Sequence, residues 1–410
     1  MKRWHIGSLL LLVILVSCAR VEVVPESPKK PVVLTGLDVL VRDDFSILKG
    51  KKVGLIANHS AVDFQGRSIL DLMTSSQNVD IRAIFAPEHG FKGVADERVN
   101  NLTEEKTGLM IYSLYGESYR PTKEQMKDID TFVFDIQDIG ARFYTYISTM
   151  AMCMEEAAVN NIDFVVLDRP NPITGLRVAG LVQDKELLRR FTSYHYLPIV
   201  HGMTIGELAR MFNEFYGIQC NLKVIKMEGW KRKMFFDETE LPWVNPSPNI
   251  RSVTQEILYP GVALTEASES NVSVGRGTDT PFELFGAPWI DADKLAAELT
   301  ARNPAGVQFT PCHFIPAESK FKGEECHGVR LTLNNRADFD PVDTGLHILC
   351  ALYKLYPETY KLDPNYGLIG SRNVIERIKK GETVSQIHSS YQKSLEGFIN
   401  IRKEFLLYLD

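Results

Sequence analysis

The chain has 410 residues, 44% hydrophobic and 24% charged, with 46 Lys and Arg against 52 Asp and Glu for a formal net charge of −6. That length and composition support a large core and two domains of ordinary size, and an acidic, mixed-charge surface excludes a nucleic-acid backbone as the main ligand. Beyond the N-terminal segment, the cysteines Cys153, Cys220, Cys312, Cys326 and Cys350 show no C-x-x-C or C-x-x-H spacing, so no zinc or other metal site is expected.

The N-terminus sets the compartment. Lys2 and Arg3 precede an unbroken apolar run, Leu9 to Val16, that is too short to span a bilayer and ends in Leu15-Val16-Ser17-Cys18. Small residues before a cysteine are what a lipoprotein signal peptidase needs. Residues 1–17 are therefore predicted to be a signal peptide, with Cys18 as the acylated first mature residue. Residues 18–35, with Pro25, Pro28 and Pro31, read as a tether. No acidic run follows Cys18 to signal surface export. The expected location is exported and membrane-anchored through that lipid, on the periplasmic face of the outer membrane.

From 36 to 195 strands and helices alternate. Strands are predicted at Val53–Ala57, Ile81–Ala86, Leu109–Leu114, Thr131–Phe134 and Phe164–Leu167, with helices at Ile69–Met73 and Tyr144–Asn160. Alternation of this kind implies a parallel sheet covered by helices. The turn after the first strand is Asn58-His59-Ser60-Ala61 rather than G-x-G-x-x-G, so this α/β domain is Rossmann-like without the dinucleotide fingerprint, and no nucleotide or other cofactor is expected.

From 196 to 410 the pattern is mixed α+β. Thr204 to Glu207 is a capping box that opens a helix ending near Gly217. Strands are predicted at Leu222–Met227, Gly261–Leu264, Val307–Phe309 and Gly328–Leu333, and helices at Asp291–Arg302, Val342–Tyr356 and Val384–Leu409. Cys312 and Cys326 flank a polar turn, and in an oxidising compartment they are expected to pair.

Polar clusters close four of the parallel strands: Asn58-His59-Ser60, Pro87-Glu88-His89-Gly90, Asp135-Ile136-Gln137-Asp138 with Arg142 and Tyr144, and Asp168-Arg169-Pro170-Asn171-Pro172. Asn, Asp and Pro are ordinary turn residues. Four such loops on one sheet edge, where open α/β folds bind ligands, point instead to a shared site. The second half adds His201-Gly202, Pro246-Ser247-Pro248-Asn249, and a glycine-rich turn holding Glu269, Asn271, Ser273 and Arg276. That turn lacks the G-K-[ST] of a phosphate-binding loop, and no G-x-S-x-G elbow or H-E-x-x-H helix is present. What remains is carboxylate acid/base chemistry, with amides to read hydroxyls and arginine to read a carboxylate. Such a set suits an acidic, polyhydroxylated small molecule.

These motifs resemble the YbbC/NamZ family. The match rests on Asn58-His59-Ser60, Pro87 to Gly93, Asp135 to Tyr146, Asp168 to Pro172, His201 to Thr204, Pro246 to Asn249, Ser273 to Thr278 and Gly286-Ala287-Pro288-Trp289, and runs from about residue 36 to the C-terminus. Departures stand at His59, where many members have glutamine, and at Glu266-Ala267-Ser268. The resemblance implies a Rossmann-like domain followed by an α/β C-terminal domain with the active site in the cleft between them. It also implies an exo-β-N-acetylmuramidase that releases N-acetylmuramic acid from non-reducing ends, with substrates such as MurNAc-GlcNAc fragments of peptidoglycan. On that reading Arg142, Arg169 or Arg276 takes the lactyl carboxylate, and Asn171, Asn249 and Asn271 take the acetamido group and hydroxyls. Asn58, His59, His89, Gln137, Tyr144, His201 and Ser273 complete the binding set. Glycoside cleavage calls for a carboxylic acid on the leaving oxygen, and Glu88, in the middle of the cluster, is the choice. Asp135, Asp138, Glu269 or the substrate's own acetamido oxygen is left for the second role. The rival readings are a lipoprotein that binds muropeptide sugars without cleaving them, and a nucleotide-using transferase or dehydrogenase.

Overall fold

Short apolar runs bounded by polar turns form the centre of the molecule. In the computed structural model, Met1, residues 32–93 and residues 100–409 are described, and Cys18 lies outside them. Strands β1 (Lys52–Ala57), β2 (Asp80–Ala86), β3 (Leu102–Thr103), β4 (Met110–Ser113), β5 (Thr131–Asp135) and β6 (Asp163–Leu167) lie in the sheet order β3-β4-β2-β1-β5-β6. All pairs are parallel except the β3–β4 edge. Every residue of β5 is buried, as an apolar strand covered on both faces requires. Helices α1 (Gly36–Arg42), α2 (Ile69–Ser75), α3 (Lys123–Met126) and α4 (Tyr146–Asn160) connect the strands. Thr35, Ser68 and Thr122 cap the first three, each accepting from a backbone N–H of the first turn.

The hairpin of β7 (Ala179–Val182) and β8 (Pro198–Val200) leads into α5 (Ile205–Glu214), whose capping box at Thr204 forms as the sequence predicts. The next strand, β9 (Leu222–Ile225), does not open a second domain. It pairs parallel with β6 as the seventh strand of the first sheet, with α5 as the crossover. That sheet therefore extends past residue 195.

The predicted strand at Gly261–Leu264 is instead the end of helix α6 (Val253–Val262) and a following 3-10 turn. A short apolar run does not by itself distinguish strand from buried helix. Tertiary packing decides here. A Cβ at Gly261 would collide with the Pro341 carbonyl oxygen, and one at Gly345 would lie 2.7 Å from the Gly261 oxygen. Glycine at both positions lets α6 cross the later helix α8 backbone to backbone. The second sheet is antiparallel, β10 (Leu284–Ala287) against β12 (Cys326–Leu333) against β11 (Val307–Phe314). Around it pack α7 (Ala292–Arg302), α8 (Pro341–Leu355), α9 (Tyr366–Ile369), α10 (Arg372–Lys379) and α11 (Val384–Arg402).

Cys312 and Cys326 are free thiols. The register sets Cys312 opposite Gly328 and Cys326 opposite Phe314, so the two lie diagonally on one face. Diagonal positions stand about 7–8 Å apart, beyond the usual disulfide span. Among the described residues no helix is long and apolar enough to cross a membrane.

Candidate active site

Parallel strands deliver their carboxyl ends to one edge, and the turn after β2 leaves Glu88 and His89 half-buried there. Pro87, His89 and Gly90 form a tight turn closed by Gly90 N–H donating to Pro87 O at 3.0 Å. His89 takes φ +70°, a left-handed conformation uncommon outside glycine. A Cβ at Gly93 would overlap the His59 ring, and His59 Nε2 lies 2.6 Å from the Asn245 carbonyl, so this turn is braced against the second half. Burial lowers the His59 pKa against the opposing effect of that carbonyl, which keeps the ring neutral. Glu88 is half-buried, and its carboxylate accepts from the Thr145 hydroxyl at the N-terminus of α4.

Glu88 lines a pocket of about 540 Å³ built by both halves. The first half contributes His89, Phe143, Tyr144, Thr145 and Thr192; the second contributes Ser247, Ile250, Tyr259, Glu266, Arg276, Phe282, Glu318, Ser319 and Leu368. One wall is aromatic: Tyr144 packs edge-on against Tyr259 at 6.0 Å, and Tyr259 against Phe282 at 4.8 Å. Burial raises the phenols of Tyr144 and Tyr259 well above their usual range, so both stay neutral. Arg276 lies 5.2 Å from the centre of the Phe282 ring and is gripped by Glu266 through two bonds of 3.0 and 3.1 Å. Lys320 pins the loop carrying Glu266, donating to the Glu266 carbonyl at 3.0 Å and to that of Ala267 at 2.5 Å.

Of the residues expected here, Glu88, His89, Tyr144 and Arg276 reach the pocket. The others do not: most are buried with committed partners, while Glu269 is exposed and His59 and Asn271 are half-buried elsewhere. Asp135 is fully buried and ion-paired through both oxygens to Arg169, with Nη2 to Oδ2 at 2.8 Å, while Arg169 also donates to Val62 O. Asp138 accepts from Gly140 N at 2.8 Å and faces buried His201 at 3.5 Å. Arg142 is 1% exposed and donates to four carbonyls, those of Leu181, Leu197, Leu368 and Ile369, so it ties the β7–β8 hairpin to α9 instead of reading a ligand. Gln137 donates to Asp138 O and Pro170 O, and Asn171 bridges Met203 O and Ile173 N. Asn271 staples Thr359 to Lys361, and Ser273 closes its own turn on Gly275 N. Glu269 is exposed and outside the pocket lining, and Asn249 is buried beside it. Asn58 accepts from Ser60, and with His59 lines a separate hollow of about 700 Å³ that shares His89.

Thr145, Ser247, Tyr259 and Glu318 are pocket residues that the sequence did not single out, and Glu266 was noted there only as a departure from the family pattern. Thr145 and Ser247 stand inside the motifs Tyr144-Thr145-Tyr146 and Pro246-Ser247-Pro248, which was their available signal. Tyr259 and Glu318 arrive by packing of α6 and of the segment after β11, and carry none.

Profiles of two protein families match the chain. Residues 53–254 match the N-terminal domain of the exo-beta-N-acetylmuramidase NamZ, and residues 257–408 match its C-terminal domain. The seam falls within α6. The peptidoglycan beta-N-acetylmuramidase NamZ of Bacillus subtilis strain 168 is 43% identical over 388 residues, covering 93% of each chain. Two crystal structures of DUF1343 family proteins from Bacteroides fragilis share the fold. One has a TM-score of 0.86 at 36% identity, over 93% of this chain and all of that one; the other scores 0.75 at 30% identity, over 92% and 99%. Matched in both of the halves that build the pocket together, the chain belongs to the NamZ family of exo-β-N-acetylmuramidases.

Proposed function

We propose that this protein is an exo-acting glycosidase that releases N-acetylmuramic acid from the non-reducing ends of peptidoglycan fragments, with Glu88 as the general acid. The observation that carries the reading is Glu88 itself: a half-buried carboxyl in a two-sided pocket, oriented by the Thr145 hydroxyl. A pocket of about 540 Å³ suits a terminal sugar with its substituents. Arg276, positioned by Glu266, meets the lactyl carboxylate, and the neutral phenol of Tyr259 offers a hydrogen bond to the sugar. For the second role the pocket supplies Glu318, and the substrate supplies its acetamido oxygen. Asp135 is sealed in its ion pair, and Glu266 is committed to Arg276.

Incubation of the mature protein with MurNAc-GlcNAc tests the reading by the appearance of free N-acetylmuramic acid. Binding without release would favour a sugar-capturing protein, and long internal fragments from intact glycan would contradict exo action.

The anchor is part of the same proposal. Lys2, Arg3, the run Leu9–Val16 and Ser17-Cys18 support acylation of Cys18 and a periplasmic position. Cys18→Ala should move the protein from the membrane to the soluble fraction, and unchanged membrane partition would refute the anchor.

A further inference from the structure

A cleaved glycan has a leaving side, and the pocket residues account only for the terminal sugar. The turn after β4 lies beside the Glu88 turn. The parallel register pairs Ala86 with Ser113, so Tyr115, as far past Ser113 as Glu88 is past Ala86, reaches the same sheet edge on the adjacent strand. There Tyr115, Tyr119 and Phe191 make a three-ring cluster: Tyr119 to Phe191 is 4.5 Å between ring centres, Tyr115 to Phe191 5.7 Å and Tyr115 to Tyr119 5.9 Å. Phe191 directly precedes Thr192, which lines the pocket.

The rings are held in place without being hidden. Tyr119 is 37% exposed, and its two companions are only partly buried. A single carboxylate clamps both loops that carry them. Glu155 on α4 accepts from Arg120, next to Tyr119, at 2.6 Å, and from Arg189, near Phe191, at 2.5 and 3.0 Å. Ser118 closes the turn around Tyr119 by accepting from Arg120 N at 3.0 Å and donating to Arg120 O at 2.8 Å. A rigid aromatic surface that stays in contact with water is preorganised to accept an apolar face. A pyranose ring offers such a face through its axial C–H groups.

We propose that Tyr115, Tyr119 and Phe191 form a stacking platform for the sugar on the leaving side of the cleaved bond, an N-acetylglucosamine-type ring following the terminal unit. This rests on the glycosidase reading above. The test is calorimetry on the Glu88→Gln protein, expected to turn substrate over about 10²–10⁴ times more slowly, using N-acetylmuramic acid and MurNAc-GlcNAc as probes. The disaccharide should bind more tightly than the monosaccharide. Adding Tyr119→Ala should weaken the disaccharide by about tenfold and leave the monosaccharide unchanged, while Tyr119→Phe should keep the gain. Disaccharide affinity within about twofold of the parent, or equal weakening of both sugars, would overturn the platform. If the wild-type protein releases N-acetylmuramic acid while Tyr119→Ala fails in either way, only the platform falls. If the wild-type protein releases none, the glycosidase reading falls and takes the platform with it.

Discussion

Two regions of the same sheet edge carry nearly the same residue types and have opposite fates. At the ends of β5 and β6, Asp135, Arg142, Arg169 and Asn171 are buried and bonded to one another or to the backbone. At the end of β2, Glu88 lines the pocket and is oriented by the Thr145 hydroxyl behind it. The loops after β5 and β6 are covered by the hairpin β7–β8, the segment after it and α9, which Arg142 and Asn171 hold in place. The β2 turn, third from the other edge of the same sheet, leaves Glu88 and His89 only half-buried. Depth of burial, not residue chemistry, separates the sealed carboxylate of Asp135 from that of Glu88, which lines the pocket.

The largest expected effect lies on the buried side. Asp135→Asn would leave Arg169 charged and unpaired at 5% exposure, a change that costs about 3–5 kcal/mol. Thermal unfolding should show it as a large fall in Tm, with the activity of the fraction still folded little altered. A stable Asp135→Asn protein that had lost only turnover would place Asp135 in the chemistry and erase the contrast.

On the pocket side, Arg276→Met should do the reverse. Loss of a charge-assisted hydrogen bond to the lactyl carboxylate costs about 1.5–3 kcal/mol, read as a fall in kcat/KM on MurNAc glycosides. The same variant should narrow the preference over the matching GlcNAc glycoside, and an unchanged preference would assign the carboxylate to another group. Thr145→Val should cost less, about 1 kcal/mol of transition-state stabilisation, visible in kcat with Tm nearly constant.

A pH-dependent effect concerns Glu256 on α6, whose two carboxylate oxygens are buried with no partner among the described residues. Burial first, and the nearby Asp138 second, raise its pKa well above the ordinary 4.5. A raised folded-state value means that the stabilising contribution is complete below the unfolded value and is lost as pH rises through the folded one. Glu256→Gln should therefore gain stability relative to wild type with rising pH, measured as a Tm difference that widens from about pH 5 to pH 8. A difference that is flat or shrinks over that range would show Glu256 to be ionised in the folded protein.

The sequence showed the parallel strands clearly, because each is a short apolar run closed by a polar cluster. It misplaced β9, since three half-buried residues and one exposed lysine at a sheet edge carry no mark of which sheet they join. It misread Gly261–Leu264 because the cause of that helical stretch lies in α8, remote in the chain. The pairing of Cys312 with Cys326 failed on a register offset of two residues that loop length does not encode. Within the site, Glu88, Tyr144 and Arg276 were legible from strand-end and turn positions. Arg142 and Asn171 look the same in sequence and differ only in what covers them, while Tyr259 and Glu318 are brought in by packing alone.

The claim that the β2 turn, and not the β5 and β6 ends, carries the chemistry is tested most directly by Glu88→Gln. The measurement is the rate of N-acetylmuramic acid release from MurNAc-GlcNAc, with Tm taken on the same sample. Removing a general acid should lower the rate by about 10²–10⁴, with Tm and sugar affinity unchanged. Release at a near wild-type rate, or a loss matched by a collapse in Tm, would contradict it.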